Sequence, residues 1–261
     1  MRIQICGSVV VEADGVGIPI APRGPQGTRL FAYLVARRRR PVSRDELIEA
    51  LWPDSRPVDP EAALTVVLSK MRAALGGGVV EGRSQLRLSL GDAWIDLEAA
   101  EEAIHRAEAA VAQKRWADAW GPARVALHVA ERGFLPGQDA PWITERRRSL
   151  EEVRARALRC IGAAGLGLGG VELTAAERAA RDLVRLLPLG ESGHLLLMRV
   201  LVARGDVSEA LVVFDALRRT LRDELGVAPS AEIRAYHAAL LREDPATRRA
   251  GAGGRVVEAS P

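Results

Sequence analysis

The stretch Ser43–Leu75, SRDELIEALWPDSRPVDPEAALTVVLSKMRAAL, restricts the fold more than any other part of the chain. Ser43 is a favoured N-cap, and Glu46 three residues on completes the pattern of a capping box. Leu47, Ile48, Leu51 and Trp52 then define one apolar helical face. Pro53 and the run to Pro57 break that helix. Asp59-Pro60-Glu61 opens a second one, with Asp as N-cap, Pro in the first turn and an acid near the positive end of the dipole. Leu64, Val67, Leu68, Met71 and Leu75 form its inward stripe. Thr65, Val66, Ser69, Lys70 and Ala73 fall on the opposite side, and Gly76-Gly77-Gly78 ends it. Two short helices at this spacing are the frame of a helix-turn-helix, whose second helix suits a DNA groove.

The flanks extend that frame. Met1–Ile20 alternates and is β-branched, and Asp14-Gly15 is a hairpin signal, so two or three short antiparallel strands are expected. Ala21–Thr28 reads as a Pro/Gly loop and Arg29–Arg39 as a helix with Leu30, Phe31, Leu34 and Val35 inward. Val79–Leu90 returns to strand alternation around Glu81-Gly82-Arg83-Ser84. A hairpin directly after a recognition helix is the wing of a winged helix. Charge agrees with this. Residues 1–90 hold 13 Lys+Arg against 9 Asp+Glu and the remainder 24 against 25, so the positive excess lies at the N-terminal end. No acid occurs between Gly15 and Arg44, a stretch that contains Arg23, Arg29 and Arg37–Arg40. Such a patch suits a phosphate backbone. The four-arginine run also has a plainer reading, a solvated helix end complementing the dipole, and a partner's acidic surface is a further one. Arg83 at the wing tip suits a minor groove or is simply a polar turn residue.

From Asp96 onward the strand signal disappears. Helices are expected over Asp96–Val111, Trp116–Glu131, Trp142–Ala164, Thr174–Leu187, Glu191–Arg204, Val207–Leu225 and Ser230–Leu241. Ala176, Ala180, Leu183 and Pro188 recur 34 residues later as Ala210, Phe214, Leu217 and Arg222. A 34-residue period is that of tetratricopeptide (TPR) repeats, helix pairs that bury a face only against their neighbours. The Gly-rich end, residues 246–261, is expected to be a disordered tail. The fold class is therefore mostly α, α+β overall: a winged helix-turn-helix with small antiparallel sheets over 1–94, then an all-α TPR-like domain over 95–245.

Other chemistries find little support. Gly165–Gly170 follows a helix, not a strand, so it reads as a flexible interhelical turn and not as a dinucleotide fingerprint. Pro22–Thr28 lacks the Gly-Lys-Ser/Thr of a phosphate-binding loop. His105, His128, His194 and His237 are dispersed, and no nucleophile sits in a recognisable frame, so neither an enzyme, a metal nor another cofactor is expected. The five Trp, Trp116, Trp120 and Trp142 among them, read as core. Cys6 and Cys160 form no ligand motif, and no run approaches the length of a membrane span. A cytoplasmic protein in a reducing compartment follows, with no membrane partner.

On these residues the chain resembles the SARP-type transcriptional regulators, an OmpR-type winged helix followed by a bacterial transcriptional activator domain. The resemblance rests on Gly24–Leu34, Val42–Trp52 and Leu68-Ser69-Lys70-Met71-Arg72 in the first part. In the second it rests on Ile95-Asp96-Leu97, Gly133–Trp142 (GFLPGQDAPW) and Leu217–Leu241 with its Glu224-Leu225-Gly226-Val227-Ala228-Pro229-Ser230 run. It implies a transcriptional activator that binds double-stranded DNA repeats as a homodimer or a DNA-assembled dimer and contacts RNA polymerase. Base and groove contacts would fall to Thr65, Val66, Ser69, Lys70 and Arg72, with Val66 against a thymine methyl. Backbone contacts would fall to Arg44 and the Trp52 indole, and the wing contact to Arg83. The family's wing usually closes with Gly-Tyr-Arg-Leu, where this chain has Gln85-Leu86-Arg87-Leu88. The outward face is also thin in side chains that hydrogen-bond base edges, each good bidentate pair being worth about 1–3 kcal/mol of discrimination. Modest specificity and phosphate-dominated affinity are expected. Larger family members carry an ATPase region after the activator domain, which this chain stops short of, so no nucleotide-driven switch is expected. The competing reading is a TPR-like protein- or ligand-binding scaffold with a weakened winged helix.

Overall fold

The computed structural model describes residues 1–13, 16–18, 24–76 and 78–242. The expected Asp14-Gly15 turn, the central glycine of Gly76-Gly77-Gly78, residues 21–23 of the expected Ala21–Thr28 loop, Arg23 among them, and the 246–261 tail lie outside these residues. Contacts divide the described chain into two units, Met1–Glu108 with Gly121–Ala157, and Ala109–Trp120 with the described residues from Leu158 on.

In the first unit, β1 (Arg2–Gln4), β2 (Val10–Ala13) and β3 (Val16–Ile18) pair antiparallel in sequence order, as the alternation indicates. A fourth strand, β7 (Trp94–Ile95), joins β1 in parallel, with Ile3 opposite Ile95. Nothing in the sequence announces it, because a two-residue parallel pairing across ninety positions has no periodicity of its own. Helix α1 (Pro25–Ala36) buries Leu30, Phe31, Leu34 and Val35. It starts earlier than the sequence suggests because Pro25 takes the first-turn position, and it ends before the arginine run, at Ala36. After β4 (Val42–Ser43) come α2 (Arg44–Leu51) and α3 (Pro60–Leu75). The wing is β5 (Val80–Glu81) and β6 (Gln85–Leu88), and β6 also pairs with β4.

The helical part of this unit begins at α4 (Asp96–Ala112). The Asp96 carboxylate is fully buried. It accepts hydrogen bonds from the backbone N–H of Ile5, Cys6 and Leu97 at 3.0, 3.0 and 2.8 Å, and from Arg132 Nη2 at 3.1 Å. Arg132, just past α5 (Trp116–Glu131), also donates to Gln4 Oε1 at 2.7 Å. Burial raises the Asp96 carboxyl above its usual range, against the opposing pull of the backbone donors and of Arg132. Burial, with Asp96 next, likewise pushes the Cys6 thiol up, which disfavours the thiolate. The GFLPGQDAPW segment leads into α6 (Pro141–Leu168), where Trp142 packs edge-on against Tyr33 and Phe134 and donates to Ala50 O at 3.0 Å. Arg147 ties the segment down through the carbonyls of Phe134, Leu135 and Gln138.

The second unit contains α7 (Leu173–Leu186), α8 (Glu191–Ala203), α9 (Val207–Leu225) and α10 (Ala231–Arg242), each packed on the next. The repeat positions Ala176, Ala180 and Leu183, and their counterparts Ala210, Phe214 and Leu217, are all buried. Small residues let the helix axes approach, and the bulky ones fill the space between. The glycine-rich stretch corrects the sequence reading. Gly165 and Gly167 are not in a turn but inside α6. A Cβ on Gly167 would lie 2.4 Å from the Trp116 ring, and one on Gly165 would lie 2.9 Å from Ala176 Cβ and 3.4 Å from Trp120. These glycines let two indoles lie against the helix backbone. The tryptophans are accordingly not fully buried core. Trp52, Trp116, Trp120 and Trp142 are half-buried and Trp94 is exposed, with Arg2 stacked over it at 4.5 Å.

Candidate nucleic-acid interface

Local chemistry fixes the starts of α2 and α3. Ser43 Oγ accepts from Glu46 N at 3.2 Å, and Asp59 Oδ1 accepts from Ala62 N at 2.9 Å. The reciprocal half of the capping box is replaced. Among the described residues the Glu46 carboxylate takes the Tyr33 hydroxyl at 2.6 Å and the Arg40 guanidinium at 2.9 and 2.5 Å. The Arg40 hydrogen bond holds the Glu46 carboxyl below the usual carboxylate range, while burial, with the Glu46 hydrogen bond second, pushes Tyr33 up to about 12.

Helix α3 buries Leu64, Leu68 and Met71 and leaves Val67 and Leu75 half-buried. Its outer side is open. Thr65, Val66, Ser69, Lys70 and Ala73 are exposed, Val66 at 52%. Among the described residues of this unit, no helix covers that side. A shallow cleft of about 320 Å³ runs alongside, bordered by Gln26, Trp52, Pro57, Ala63, Val67 and Lys70. It places the half-buried Trp52 and the exposed Lys70 on one groove.

The remaining site residues are held by intramolecular partners. Arg44, first residue of α2, donates from Nε to Glu61 Oε2 at 2.6 Å and from Nη2 to Thr65 Oγ1 at 2.8 Å. Thr65 in turn donates to Glu61 O at 2.8 Å. Arg72 is half-buried, and its guanidinium reaches back to the wing carbonyls of Gly82 at 2.7 Å and Val80 at 3.5 Å. The wing turn depends on Gly82, which sits at φ +89, where a Cβ would meet Gln85 O at 1.8 Å. Arg83 next to it is exposed at the tip.

Most of the arginine run has partners too. Arg38 makes a bidentate pair with Glu98 at 2.8 and 2.6 Å, Arg40 pairs with Glu46, and Arg37 lies 3.6 Å from Glu46 and over the Tyr33 ring. Arg39 is exposed. Sequence reasoning missed Glu46, Glu98 and Glu61 as the counter-ions of these cations. Their only signal was an acid three residues past a cap or in the first turn of a helix.

A capped helix pair, an open outer face and a wing braced from α3 define a winged-helix protein whose chain continues into helical repeats. The transcriptional regulatory protein C-terminal family matches residues 22–83, and the bacterial transcriptional activator domain family matches residues 95–241. The second match spans more than half of the sequence, and the chain belongs to the bacterial transcriptional activator domain family. The two matches in this order bear out the resemblance to SARP-type regulators. Regulatory protein AfsR of Streptomyces coelicolor is 31% identical over 248 residues, 94% of this chain and 25% of that one. Regulatory protein DnrI of Streptomyces peucetius is 28% identical, covering 96% of each chain. Transcriptional regulatory protein EmbR of Mycobacterium tuberculosis is 27% identical over 92% of this chain. This chain thus spans a quarter of the length of AfsR and 63% of EmbR. A solved structure of Mycobacterium tuberculosis EmbR in complex with a low affinity phosphopeptide has the same fold. Its TM-score is 0.81 at 24% identity, covering 97% of this chain and 69% of that one.

Proposed function

We propose that this chain is a transcriptional activator that seats α3 in the major groove of double-stranded DNA and lays the wing along the neighbouring minor groove. The observation that carries this reading is the open outer side of α3, from Thr65 to Ala73, between the Asp59 and Gly76 caps, together with an exposed Arg83 at the wing tip. Lys70 and Arg83 neutralise phosphates, and Ser69 and Val66 meet base edges, Val66 against a thymine methyl. Trp52 borders the same groove and packs on the sugar-phosphate backbone. Arg72 positions the wing through Gly82 and Val80. Arg44 and Thr65 form one linked pair at the start of the helix. Residues 1–94 dock on DNA, and residues 95–245 serve dimerisation and contact with RNA polymerase in the cytoplasm. With so few base-reading side chains, phosphate contacts dominate affinity, so binding falls steeply with salt.

A mobility-shift titration of the full chain on the duplex upstream of its own gene, across a salt series, tests this. Wild-type retention with a steep salt dependence that becomes shallower in Lys70→Ala is the expected result. Equal slopes for wild type and Lys70→Ala overturn the docking assignment.

A further inference from the structure

Glu61 is an acid on a surface that has to approach a polyanion. It lies in the first turn of α3 and shares a face with Thr65 and Ser69, at i+4 and i+8. First-turn residues of a recognition helix are the ones that reach base edges and the flanking phosphates. The fold has little need of the charge. The Glu61 side chain is 53% exposed, and an exposed ion pair adds little to stability. An acid here also complements the helix dipole, again a small contribution at an exposed position. What Glu61 does hold is Arg44. Its Oε2 takes Arg44 Nε at 2.6 Å, and its backbone carbonyl takes Arg44 Nη2 at 3.2 Å and Thr65 Oγ1 at 2.8 Å. Arg44 is thereby fixed against α3, with its side chain only 24% exposed.

We propose that Glu61 is a selectivity residue of the interface: by keeping Arg44 in an ion pair on the groove-facing side, it withholds that cation from phosphates and penalises loosely seated, sequence-independent complexes. Two effects act together. A phosphate that recruits Arg44 has to displace a charge-assisted hydrogen bond at close range. The carboxylate left behind then faces the phosphate backbone and repels it. A well-seated complex offsets both with its groove contacts, and a sliding complex has none to offer. Glu61 is therefore a positioning residue for Arg44 and a restraint on non-specific affinity. This inference rests on α3 being the DNA-facing helix.

The test is a fluorescence-anisotropy salt series of the full chain on a random-sequence duplex, for wild type, Glu61→Gln, Arg44→Ala and the double variant, with Lys70→Ala alongside. Glu61→Gln keeps the side chain's shape, and an unchanged thermal unfolding midpoint establishes that the fold is kept. The expected result is tighter random-duplex binding by Glu61→Gln, on the order of tenfold at about 0.1 M salt, with a slope steeper by about 0.9, the value of one added phosphate contact. Arg44→Ala keeps the wild-type slope, and the double variant loses the gain. A Glu61→Gln chain that binds no tighter than wild type, or a gain that survives Arg44→Ala, overturns the inference. If wild type shows no affinity for duplex, or Lys70→Ala leaves its slope unchanged, the DNA reading itself falls and this inference with it. Unaltered binding by Glu61→Gln beside a Lys70-dependent slope overturns this inference alone.

Discussion

The run Arg37–Arg40 and the sparse cations of α3 and the wing carry the same kind of charge in opposite surroundings. The run is the densest basic feature of the sequence, yet Arg38 and Arg40 are locked to Glu98 and Glu46, and Arg37 leans on Tyr33. Register explains its distance from the wing tip. Ser43 pairs with Gln85 beside the tip and Val42 with Leu86 one step back, so the chain before Pro41 is carried away from it. Lys70 and Arg83 are isolated in sequence but exposed, Lys70 on the open side of α3 and Arg83 at the wing tip. Sequence density is a poor guide to which cations the fold pairs with acids.

The largest effect is expected where one side of this contrast is removed outright. Gly82→Ala forces a Cβ at φ +89 into Gln85 O and should destabilise the wing by about 2–3 kcal/mol. Urea unfolding together with duplex affinity reads it, and both should fall. Arg38→Ala should cost about 2 kcal/mol of stability, because it breaks a bidentate, partly buried pair and leaves Glu98 behind. Its salt slope on DNA should match wild type. Lys70→Ala is the mirror image, with unchanged stability, a slope shallower by about 0.9 and affinity lower by roughly tenfold at low salt. Glu46→Gln should cost at most about 1 kcal/mol at neutral pH. The folded-state pKa of Glu46 lies below its ordinary value of 4.5. Its contribution is therefore complete above that value and disappears as pH falls through the depressed one. Wild type and Glu46→Gln should converge in acid unfolding. Arg39→Ala should change neither stability nor slope.

What was legible in the sequence is local. The Ser43 and Asp59 caps, Pro60 in the first turn, the apolar stripe of α3 and the Glu81–Ser84 hairpin follow from chemistry within four or five residues, and each appears in the structure. The 34-residue recurrence was visible for the same reason, since each helix repeats its own burial pattern. The rest depends on partners far away in the chain. Gly165 and Gly167 carry no mark that indoles will lie on them, so they read as a turn. Arg72 sits at the border of the helical wheel, and only the folded wing shows where it points. Asp96 looks like a helix-starting acid, and its role in joining Ile5 and Cys6, α4 and Arg132 depends on residues up to ninety-one positions away. Glu61 and Arg44 are each ordinary alone, and their pairing is a property of the angle between two helices.

Both native cysteines are buried, so one introduced thiol takes a label cleanly. Ala73→Cys and Arg39→Cys chains, each carrying an iron chelate that cleaves nearby DNA, compare the two cationic regions directly on one bound duplex. The expected result is cleavage centred on the bound site from the Ala73 position and an intact duplex from the Arg39 position. Cleavage from the Arg39 position, with the Ala73 position leaving bound DNA uncut, contradicts α3 as the groove-reading element.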